Sequence, residues 1–155
     1  MTPPPVASVP RSLLLAAALL GLTGVALGAW GAHGLPETLA DIYGMQSREV
    51  GGRTVPAAAK YRDDFLTGVR YQMMHAVAVL AIVGLPLRSR LQAAAGWAMV
   101  AGTVVFSGSL YALVLTATPW LGAVTPIGGV LLLAGWTLLL LAAVRGDRPS
   151  GDATS

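Results

Sequence analysis

The chain has 155 residues, of which 55% are hydrophobic and 11% charged, and its mean hydropathy is +0.68. Soluble domains carry about 25% charged residues, so this composition excludes an ordinary water-soluble globule and leaves room for one membrane domain. A pI near 9.8 would suggest nucleic acid in a soluble protein, but here the charges sit outside or at the very ends of apolar runs, so membrane topology explains the basic excess and no nucleic-acid partner is expected.

The first residues, MTPPPVASVP, are too rich in proline for a helix, and a disordered tail is expected over 1–11. SLLLAAALLGLTGVALGAWGA (12–32) is the first of four stretches that meet the requirement of roughly 20 apolar residues for a bilayer crossing. Arg11, with Ala26 and Gly28, would also suit a cleaved secretion signal, but the run is longer than the roughly 7–15 residues of such a signal. Within it, Gly24, Gly28 and Ala32 repeat small residues every fourth position, and Ala17 and Gly21 add another pair. Such spacing favours close helix contacts.

Residues 33–67 read as an outer loop. The second helix is expected over about 68–86 and the third over about 92–115. The fourth is expected over 125–144, because Thr125-Pro126 matches an N-cap followed by proline at the first helical position. That leaves ATPWLGAV as a hydrophobic turn. RGDRPSGDATS (145–155) reads as a second disordered tail. Its Arg-Gly-Asp resembles an integrin-binding tripeptide, but a basic stop after a membrane helix explains it.

Lysines and arginines divide five against five between the two sides of this layout. Arg11, Arg88, Arg90, Arg145 and Arg148 lie in short segments against helix ends, where the positive-inside rule acts most strongly. Both termini are therefore expected on the cytoplasmic side. Polar side chains then gather in the outer leaflet, with His75 and Ser109 each about 10 Å below its surface.

Asp64, Gly68, Tyr71, Gln72 and His75 recur at three- and four-residue steps and share one helix face. An imidazole or amide in hydrocarbon needs a partner, so this face should point into the bundle. An interhelical hydrogen-bond network is the favoured reading, and a small-molecule, proton or metal site the alternative. His33 and His75 are the only histidines. From neighbouring helices they could ligate a haem or a metal, although that pattern needs only two residues. Ser107 and Ser109 lack a lysine or carboxylate to activate them, which argues against a serine hydrolase. No aspartate or glutamate lies inside any expected span, which argues against an ion-coupled pump.

Four blocks, GAWGAHGL (28–35), FLTGVRYQMMHAVAVLA (65–81), FSGSLYALVLT (106–116) and GAVTPIGGVLLLAGW (122–136), occur in that order. Together they resemble the small four-helix membrane proteins of the domain of unknown function 423 family, which includes bacterial inner-membrane proteins and proteins similar to transmembrane protein 256. The resemblance implies four helices and an integral membrane location, and brings no settled activity. This chain departs from the family in a longer first loop.

The sequence thus predicts an all-α integral membrane protein, a four-transmembrane-helix bundle, multi-pass in a bacterial inner membrane. The candidate polar cluster is His33, Tyr71, Gln72, His75, Ser107, Ser109, Tyr111 and Thr125. The candidate packing glycines are Gly24, Gly28, Gly108, Gly128 and Gly129. No catalytic residue, metal or cofactor is assigned. The expected role is a non-enzymatic structural or accessory component, with the bilayer and a second copy or a membrane complex as partners. The alternatives are a carrier or binder of a small solute or lipid, and a redox protein using His33 and His75.

Overall fold

A computed structural model of the chain describes residues 11–85 and 90–145. The two expected tails, but for Arg11 and Arg145, and the end of the second span at residue 86 lie outside the described residues. Among the described residues, four helices are long and apolar enough to cross a membrane. Helix α1 spans Arg11–His33 and buries a single stripe, Leu13, Ala17, Gly24 and Gly31, at spacings of four and seven. The rest of its surface carries leucine, alanine and valine outward, as lipid contact requires.

The expected outer loop is structured, which corrects the sequence expectation. Helix α2 (Leu35–Tyr43) comes almost directly after α1, with proline in its first turn and Leu35, Leu39 and Tyr43 buried at four-residue steps. Strands β1 (Ser47–Val50) and β2 (Arg53–Pro56) form an antiparallel hairpin. Its turn residues Gly51 and Gly52 both have positive φ, 57° and 76°, as a type I′ turn needs. The Ala57 N–H donates to the Gln46 carbonyl at 2.8 Å, tying the base of the hairpin to the first residue of the next helix.

Helix α3 runs Ala57–Gly84, starting well before the expected residue 68. The charges at Lys60, Arg62, Asp63 and Asp64 make its first turns read as loop on hydropathy. Yet Ala57, Tyr61, Phe65, Gly68, Gln72 and His75 are buried at steps of three and four, one continuous helical stripe. Helix α4 spans Arg90–Thr116, a 3-10 turn Pro119–Ala123 and helix α5 Thr125–Arg145. The starts of α4 and α5 fall close to expectation.

Helices α3 and α4 are central: α1 packs on α3 and α5 on α4. The interior is layered. At the hairpin end, Leu35, Leu39, Tyr43, Ala57, Tyr61, Phe65, Leu113 and Val114 form one apolar cluster. At the opposite end, Leu13, Ala17, Val79, Ile82 and Met99 form another. Most of the buried polar side chains lie between the two, and Gln92 lies beyond the second, donating to the Ile82 and Leu85 carbonyls at the end of α3.

Candidate functional site

Gln72 is the centre of the polar layer. Its Nε2 donates to the Leu20 carbonyl and to Thr23 Oγ1, each at 2.8 Å, and its Oε1 accepts from the Tyr111 hydroxyl at 2.9 Å. Thr23 in turn donates to the Leu19 carbonyl at 2.7 Å. One amide therefore joins α1, α3 and α4, and the chain of donors runs in a single direction. Beside it, Ser107 Oγ donates to the Gly68 carbonyl at 2.8 Å. Gly68 makes room for the Tyr111 ring: a Cβ there would lie 2.8 Å from Tyr111 Cε1.

His75 faces α5. Its Nδ1 lies 2.9 Å from the Tyr71 carbonyl and its Nε2 lies 3.3 Å from Trp136 Nε1. An indole only donates, so Nε2 accepts and Nδ1 carries the proton toward Tyr71, a tautomer assigned from the partners. Tyr71 contributes its carbonyl and its ring, which stacks on Phe106 with centroids 4.3 Å apart. A third link joins α4 to α5. Ser109 Oγ donates to the Phe106 carbonyl and lies 2.9 Å from Thr125 Oγ1.

The depth of the cluster differs from expectation. Leu20 and Thr23 straddle the middle of α1, and Trp136 stands at the middle of α5. Gln72 and His75 thus lie at mid-length of the spans, because α3 begins outside the layer that the hydropathy pattern marks. Only the Ser109–Thr125 pair lies toward the hairpin end.

His33 does not join the cluster. It is exposed in the last turn of α1, and its side chain makes no hydrogen bond among the described residues. Gly24 packs on Met73, and Gly31 packs on Phe65 and Leu66. This register separates His33 from His75 by about 18 Å along the axis. Two imidazoles on one metal must each approach it to about 2 Å, so the haem or metal pairing of His33 with His75 is withdrawn on geometry. Thr23 takes the place that His33 was expected to fill.

Among the packing glycines, Gly24 and Gly28 face α3. A Cβ at Gly24 would lie 2.6 Å from Met73 Sδ, and one at Gly28 would lie 3.4 Å from Val69 Cγ1. Gly128 touches backbone, since its Cβ would lie 2.7 Å from Phe106 Cα. Gly108 and Gly129 have nothing within 4 Å; they face away from the helix contacts, a correction to their expected role. Gly102 and Gly135, not anticipated, complete the α4–α5 seam against Leu132 and Met99.

Of the residues missed, Trp136 and Thr23 left a trace. Tryptophan belongs at membrane interfaces, so one in mid-span asks for a partner, and Thr23 is the one hydroxyl in the interior of its span.

Four membrane-length helices with a closed polar layer and leucine-rich outer surfaces define a multi-pass integral membrane protein. The family described as "Protein of unknown function (DUF423)" matches residues 27–129. The chain is 36% identical over 140 residues to a UPF0382 membrane protein, YwdK, of Bacillus subtilis, covering 87% of this chain and 98% of that one. It is 38% identical over 138 residues to the UPF0382 inner membrane protein YgdD of Escherichia coli, covering 87% and 91%. This chain belongs to that family of unknown function. No solved structure matches it.

Proposed function

We propose that this protein is a non-enzymatic structural or accessory component of a bacterial inner membrane, whose polar layer holds the helices in one arrangement. The observation that carries this reading is the saturation of Gln72. Both ends of its amide are spent on groups from two other helices, so the residue acts as interhelical glue. His75 likewise has both ring nitrogens engaged. The same saturation weighs against a carrier that would use these groups to hold a solute. An accessory role calls for a protein partner, either a second copy or a membrane complex, met through the outward faces of α1 and α5.

Unfolding of the detergent-solubilised chain tests the reading. Gln72→Leu leaves the Tyr111 hydroxyl without its acceptor and is expected to cost about 1–2 kcal/mol. His75→Ala, which removes the acceptor of Trp136, is expected to cost about 1 kcal/mol. Wild-type stability in both variants would overturn the proposal.

A further inference from the structure

Arg70 lies within the membrane-spanning part of α3 and is in no ion pair among the described residues. It is exposed, and the packing of Gly28 on neighbouring Val69 sets its backbone about 8 Å below the end of α1. Its side chain turns back toward the helix N-terminus. Nε donates to the Leu66 carbonyl at 3.3 Å and an Nη to Thr67 Oγ1 at 3.1 Å. Leu66 is level with Gly31, close to the end of α1. The guanidinium therefore reaches the boundary between hydrocarbon and headgroups, with N–H groups to spare from its five.

Arg70, Met74, Val77 and Ala81 recur at steps of four, three and four, and all are exposed. They form one outward stripe on α3. Below Arg70 this stripe becomes the floor of a mostly apolar groove of about 620 Å³, which also includes Met73, His75, Ala78 and Trp136. Half of a hydrocarbon core, about 15 Å, is about ten residues of helix, so it runs from the level of Leu66 to about Val77.

The geometry points to a phospholipid site: a net-anionic headgroup sits with its phosphate on Arg70, and one acyl chain lies along Met74 and Val77 toward Trp136. Charge complementarity selects this occupant. A guanidinium at headgroup depth without an acidic partner is matched by phosphate. An apolar partner helix laid on the same stripe would bury the charge with no counterion. The groove borders the polar layer at His75 and Trp136. Arg70 makes no hydrogen bond to that layer among the described residues, and its headgroup contact does not depend on the packing role proposed above.

Native mass spectrometry of the delipidated full chain tests the site, with separate titrations of phosphatidylglycerol and phosphatidylcholine. The first bound lipid is expected to favour phosphatidylglycerol by about fivefold, the scale of one cation near an anionic surface. Arg70→Gln is expected to abolish the preference. Val77→Trp, which fills the groove, is expected to lower retention of both lipids. Equal binding by the wild type, or a preference that survives Arg70→Gln, overturns the headgroup site. Undiminished retention in Val77→Trp overturns the groove as the seat of the acyl chain. Melting temperatures measured alongside keep these outcomes apart from failure of the packing role, which the Gln72→Leu variant reads.

Discussion

Two residues at the hairpin end show how single side chains settle local conformation. Tyr43 is buried in α2, and its hydroxyl donates to the Val114 carbonyl at 2.8 Å. Val114 lies in the last turn of α4, where carbonyls have no helical donor. Burial, and then the neighbouring Tyr61, push the Tyr43 phenol above its ordinary range. The fold therefore holds the neutral form. That contribution is complete below the unfolded value, about pH 10, and is lost as pH rises through the higher folded value. Melting should fall more steeply above about pH 10 in the wild type than in Tyr43→Phe; parallel curves would refute this. Ala117 ends α4 with φ of 50°, while the Thr118 N–H reaches the Leu113 carbonyl at 3.2 Å. This is a Schellman-type stop in which glycine is the usual residue. Ala117→Gly should stabilise the protein by about 1 kcal/mol, measured by unfolding in mixed micelles.

Between elements, glycines decide which helices touch. Gly102, Gly128 and Gly135 bring α4 and α5 within backbone contact, the close approach that small residues permit in membranes. Gly128→Ala would press its methyl against the Phe106 backbone, which cannot swing aside as a side chain can, and should cost about 1–3 kcal/mol. Gly108→Ala and Gly129→Ala meet open space and should change stability by less than about 0.5 kcal/mol. The same unfolding assay separates the three variants. All five candidate glycines were legible as small residues in a span. Which face each one presents was not, because α1, α4 and α5 are apolar nearly all round and their pattern marks no single inward side.

For the molecule as a whole, the short basic flanks place both termini on the cytoplasmic side and α2 with the hairpin on the other, a proposal that rests on the positive-inside rule. The absence of cysteine allows a clean test. A single cysteine at Met45, which is 99% exposed, should react with a membrane-impermeant maleimide added outside intact cells. A cysteine at Ser12 should react only after the cells are opened. The reverse pattern would invert the topology.

Composition alone determined the solvent. With so few charges, all outside or at the ends of four apolar runs, no water-soluble packing was available, and span number and approximate position came from bilayer thickness. The sequence also marked Gln72 and His75 as needing partners, since hydrocarbon offers none. Tertiary structure decided who those partners are. It chose Thr23 over His33, matched Trp136 to His75, and placed the cluster at mid-span. The reason is that depth depends on the register between helices. Antiparallel packing of α1 on α3 sets that register through side-chain contacts such as Gly24 with Met73, and these contacts join positions far apart in the chain. The same holds for the first loop. Its charges read as solvated, and only the packing of Leu35, Leu39 and Tyr43 against Tyr61, Phe65 and Val114 turns it into a helix, a hairpin and the start of α3.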